Sequence, residues 1–176
     1  AKKRKSGFPG GGFLSPGRIG WFVQLRAFWG VYQLAQTAIM ELVELDEAVG
    51  RAMRTMSKET ADYAETAEKA HTTIIQVARD TGAAYRDIGE ALYQLSSAGL
   101  TAEESLAAVS SVMRLTRTTE AEVTDATKII AGVYNNFSHV LEEITSKTEK
   151  FAIISGTLSY VWKRNQIDMD EMVQAL

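Results

Sequence analysis

The sequence predicts an all-α protein, with one long coiled-coil-like helix followed by a compact set of shorter helices. Three observations carry this reading. The only prolines, Pro9 and Pro16, precede the first periodic segment, so no later residue removes a helical N–H or clashes with the preceding turn. Ala, Glu, Leu, Thr and Met dominate the rest, and on balance that mixture favours helix. Apolar residues recur at spacings of three and four rather than two. With 45% hydrophobic residues in 176, the chain can also bury a core.

Residues 1–18 form a basic Gly/Pro-rich arm. Gly7, Pro9, Gly10, Gly11, Gly12, Pro16 and Gly17 leave no room for a regular element. This is not a phosphate loop, because no Gly-Lys-Ser/Thr follows and no strand precedes it. Residues 1–40 carry Lys2, Lys3, Arg4, Lys5, Arg18 and Arg26 and no acid, a charge of +6. Against a whole-chain charge of −3, the remainder holds −9. A solvated tail is the plain reading of such a block. Contact with nucleic acid or anionic lipid is the sharper one.

Residues 19–81 read as one long amphipathic helix with an aromatic N-terminal part. Leu25, Phe28, Tyr32, Ala35, Ile39 and Leu42 follow heptad spacing, as helices winding together require. After a slip near Leu45 the stripe continues through Val49, Ala52, Met56, Tyr63, Ala67, Ala70, Ile74 and Val77. A continuous helix of about 60 residues would span roughly 90 Å. Gly30 and Gly50 are weak points, each costing about 1 kcal/mol relative to Ala. Trp21, Phe22, Phe28, Trp29 and Tyr32 make the first part strongly aromatic, but Gln24, Arg26, Gln33 and Gln36 interrupt it too often for a membrane span. Such a face calls for a partner. The expected interface is Leu25, Phe28, Trp29, Tyr32, Ile39, Leu42, Val49 and Met56, joining parallel copies into a homo-oligomer, a trimer first and a hexamer second.

Residues 82–176 read as shorter helices. Ile88, Ala91, Leu92 and Leu95 share a face between Asp87 and Ala98. Gly99 supplies the left-handed residue that ends that helix. Thr101 and Glu104 have capping-box spacing, and Leu106, Val109 and Met113 follow on one face. Thr119 and Glu122 repeat the device ahead of Val123, Ala126, Ile130, Val133 and Phe137. Residues 139–164 form a further helix through Val140, Ile144, Phe151, Leu158 and Trp162, and Asp168 with Glu171 caps a last one. The chain starts without Met and stops inside the apolar pattern Val173-Gln174-Ala175-Leu176, the expectation for a section of a longer polypeptide.

Catalysis finds little support. With no Cys there is no thiol nucleophile, thiolate metal site or disulfide. His71 and His139 lie on separate helices without a constellation around them. Glu103-Glu104 and Glu142-Glu143 are adjacent pairs, which point in different directions on a helix and form no acid–base dyad. No nucleotide, zinc or calcium motif occurs. The expectation is a non-enzyme with no cofactor and no metal.

From Ala83 to Phe137 the succession of helix, glycine stop, capped start and two further helices resembles the core region of phage tail tape measure proteins. The matching pieces are Glu90-Ala91-Leu92-Tyr93-Gln94-Leu95 before the turn, and Ser97-Ala98-Gly99-Leu100-Thr101-Ala102-Glu103-Glu104-Ser105-Leu106 through it. The polar corner Leu115 to Glu122, the helix ending Val133-Tyr134-Asn135-Asn136-Phe137, and Met169 to Leu176 are similar to later parts of that core. The likeness extends over about Asp46 to Leu176, and the basic, aromatic stretch before Asp46 departs from it.

The resemblance implies a structural ruler that lies extended in the tail tube lumen of the virion, sets tail length, templates tube assembly and leaves ahead of the DNA. The partners it implies are the tail tube protein, tail tip or baseplate proteins and tail assembly chaperones, with host membrane or DNA met during ejection and the host cytoplasm as the place of assembly. Fully helical, the chain reaches only about 260 Å, so it would be one section of such a ruler. Two other readings stand beside it: a membrane-active helical protein that perforates a bacterial envelope, and a coiled-coil adaptor.

Overall fold

The computed structural model describes residues 36–37, 39–56, 62–144 and 146–165. The protein is all-α, with no strand among these residues. It divides into two units, Ala1–Glu41 and Leu42–Leu176. Of the first, the described residues are helical. The second contains α1 (42–56), α2 (Tyr63–Thr81), α3 (Tyr85–Ser97), α4 (Ala102–Thr119), α5 (Val123–Phe137), a 3-10 turn (Ser138–Leu141) and α6 (Lys147–Asn165).

The long helix expected over 19–81 is not continuous. Asp62 is an N-cap in extended conformation, and its carboxylate accepts the Glu65 N–H at 3.2 Å. Asp is among the residues that best satisfy the orphan donors of a helix start, so α2 begins anew there. The apolar stripe then packs within its own unit. Leu45, Ala48, Ala52, Met53 and Met56 of α1 and Ala70, Ile74 and Val77 of α2 are buried. Tyr63, expected on the same stripe, is 57% exposed. α1 lies directly on α3: a Cβ added at Gly89 would come within 2.8 Å of the Ala48 backbone and side chain. Only a residue without a side chain allows that crossing.

α2 stops at Gly82, whose φ of +70° is left-handed and whose N–H reaches the Ala78 carbonyl at 2.8 Å. Arg117 of α4 donates to the Thr81 carbonyl, placing a cation at the negative end of the helix. α3 buries Ile88, Gly89, Ala91, Leu92 and Leu95. Gly99, with φ of +92°, turns the chain as expected. The Thr101–Glu104 capping box is complete at the start of α4.

The second expected capping box does not form. Thr119 is the last residue of α4, and its hydroxyl donates back to the Leu115 carbonyl at 2.8 Å. Glu120 takes the left-handed position, φ +56°, and Glu122 is the N-cap of α5 without a side-chain bond. A Thr hydroxyl can serve its own helix four residues back as readily as it caps the next one. The helix expected over 139–164 also starts later, at Lys147, after the 3-10 turn. Val140, assigned to its apolar face, is 67% exposed. The final helix expected at Asp168–Glu171 lies outside the described residues.

α4 is the centre of the unit and packs against α2, α3, α5 and α6. Val109, Val112, Leu115, Ile129, Ile130, Ile88, Leu92, Leu95, Ile74 and Phe151 are fully buried in one cluster. Each such side chain contributes roughly 1.5–3 kcal/mol over its exposed state.

Candidate functional site

Two features of the surface are candidates for function: exposed apolar side chains on the first helical stretch, and polar clasps between helices. Of the eight residues expected at an interface, Leu25, Phe28, Trp29 and Tyr32 lie outside the described residues. Ile39 in the first unit is 61% exposed, and Leu42 in the second is 64% exposed. Val49 is half-buried against the core, and Met56 is buried within it. Among the described residues the expected interface set therefore divides into exposed Ile39 and Leu42 and the packed Val49 and Met56. From Leu45 onward the chain covers its own stripe.

The richer polar site is a corner where α4 begins, α5 ends and α6 begins. Glu104 Oε2 accepts the Thr101 N–H and the Thr101 hydroxyl, both at 2.9 Å. Its other oxygen, Oε1, accepts the Tyr134 hydroxyl of α5 at 2.8 Å. The Tyr134 ring lies 4.5 Å, centroid to centroid, from that of Phe151, which is fully buried on α6. Next to it, Lys147 of α6 donates to Glu103 at 2.7 Å, and Asn135 donates to the Ala98 carbonyl at 3.2 Å. Glu103 is thus solvated and paired, whereas Glu104 is held on both oxygens.

The environment sets the charges there. Burial pushes the Glu104 carboxyl up, but the Thr101 N–H, the Tyr134 and Thr101 hydroxyls and the nearby Lys147 together hold it below its ordinary value. Burial, and then the bond to the Glu104 carboxylate with its charge, push the Tyr134 phenol up to about 12. The neutral phenol and the charged carboxylate are the pair that suits this bond.

A second clasp ties α1, α3 and α5. Arg51 donates to Glu90 at 2.9 Å, and Gln94 donates to Glu90 at 2.9 Å and to Thr124 at 3.1 Å. Gln94, then Arg51, keep the Glu90 carboxyl below its ordinary value. Neither clasp is visible in sequence beyond the local spacings Thr101–Glu104 and Glu90–Gln94, because the other partners lie 30 or more residues away.

Shallow hollows line the outer side of α2, beside His71, Thr72, Ile75 and Arg79 and beside Glu65, Glu68 and Lys69. His71 and His139 are both exposed. Among the described residues no group of His, Asp or Glu is placed to hold a metal, and no helix is long and apolar enough to cross a membrane.

Fold and site together define an all-α protein whose polar groups cap helices and clasp them to one another. Residues 71–176 match the family model of the phage-related minor tail proteins, and the chain belongs to that family. It is a structural phage tail protein, located in the tail of the virion among other tail components. No curated protein and no solved structure matches it.

Proposed function

We propose that this chain is a section of a tape measure, the component that sets tail length, templates tube assembly in the lumen and leaves ahead of the DNA. The family match over residues 71–176 carries the reading. The helix–glycine–capped-helix order from Glu90 to Leu106, by which the sequence resembles the tape measure core, supports it. The role is structural rather than catalytic. Its partners are the tail tube protein, the tail tip or baseplate and the tail assembly chaperones, with host membrane or DNA during ejection. Copies associate through Leu25, Phe28, Trp29, Tyr32, Ile39 and Leu42. Val49 and Met56 leave that set, because they pack into their own unit.

The test is tail length, measured by electron microscopy after in-frame deletions in the encoding gene outside the codons for residues 46–176. Shortening by about 1.5 Å per residue removed is the expected outcome. Intact virions with unchanged tails would sink the proposal and leave an adaptor or membrane-active role.

A further inference from the structure

We infer that Glu104 couples the start of α4 to the docking of α6, and that α6 is released as a separate element when either carboxylate oxygen loses its donors. The geometry is specific. Oε2 caps α4 through Thr101, while Oε1 holds Tyr134, whose ring covers Phe151. Phe151 is fully buried on α6, and Ile154 and Ser155 are buried beside it. Lys147 of α6 donates to Glu103 of α4, adjacent to Glu104. Among the described residues, the side-chain bonds from Ser155, Ser159 and Arg164 close within the helix itself. So the Lys147 bond and the Phe151–Tyr134 ring contact of α6 meet at one corner, while Leu158 and Trp162 pack against the core farther along the helix. The inference does not depend on the tape measure proposal.

The chemistry of the carboxylate matters. An ionised carboxylate offers two acceptor oxygens, whereas a glutamine amide offers one oxygen and two donors. A glutamine at 104 can therefore accept from Thr101 or from Tyr134 but not from both, and the uncharged amide makes the weaker bond to whichever it keeps. Tyr134→Phe keeps the ring on Phe151 and removes only the hydroxyl.

The experiment is amide hydrogen exchange, read by mass spectrometry on the full chain at neutral pH. Tyr134→Phe and Glu104→Gln should each speed exchange across residues 147–165 roughly tenfold, the size expected for losing a hydrogen bond to a charged group. Residues 85–97 of α3 should keep wild-type protection, since local openings follow cooperative units. The double variant should exchange no faster than the faster single, because both remove the same link. Equal acceleration in every helix, or no change across 147–165 in both variants, would overturn the inference.

Discussion

α4 and α6 are nearly the same length, 18 and 19 residues, yet they occupy opposite positions in the fold. α4 meets four other helices and buries nine residues, from Ala102 to Thr119. α6 lies along α4 and α5 and buries Phe151, Ile154 and Ser155. Their starts differ too: Thr101 and Glu104 satisfy each other at α4, whereas Ser146 offers the Glu149 N–H a single bond of 3.4 Å. Similar apolar spacing thus yields a frame in one case and an attachment in the other. The number of neighbours decides, not the helix alone.

The strongest way to break this contrast is a charge inside the frame. Val112→Asp buries a carboxylate where the wild-type side chain is fully enclosed, and should cost at least about 4 kcal/mol. Loss of helical circular dichroism from the whole unit is expected; a folded variant would mean that α4 is not the centre. Phe151→Ala should cost about 3–5 kcal/mol, lost chiefly from α6. Denaturation in two steps would sharpen the contrast, while one cooperative step with a lowered midpoint would erase it.

Thr101→Ala removes the cap and should cost about 1 kcal/mol, seen as a small fall in melting temperature with the fold retained. The smallest effect is the titration of the corner. Glu104 sits below its ordinary 4.5 in the fold, so its contribution is present above that value and fades as pH falls through the folded pKa. Tyr134 is raised from 10.0 to about 12, so its share is full below 10 and fades as pH rises through 12. Lys147 and Glu103 face the same corner, and Lys69 of α2 feels the Glu103 charge. Exchange from 147–165 should therefore accelerate at both extremes in wild type, and Tyr134→Phe should lose the alkaline arm.

Helix type was legible because proline absence and three-four spacing are local properties. The Gly99 stop and the Thr101–Glu104 cap were legible for the same reason: both act within a few residues. The break at Asp62 is hidden in the sequence although Asp62 and Glu65 stand at cap spacing, because the apolar stripe runs on through Tyr63. Thr119 has the residue type and spacing of a cap, yet its hydroxyl bonds backward to Leu115 rather than forward to the next helix. Met56 is buried by joining the tertiary core and the Tyr134–Glu104 bond spans 30 residues, and no local pattern encodes either.

The stop at Asp62 has a consequence for measurement itself. A rod reports length in proportion to residue number, at about 1.5 Å for each one. α2 and α6, at 19 residues each, are only about 28 Å long and lie within one folded body. If the chain serves as a tape, codons inserted into the loops of this body change its bulk and leave the reading almost untouched. The graduations of such a scale would have to lie in extended stretches, not in this folded body.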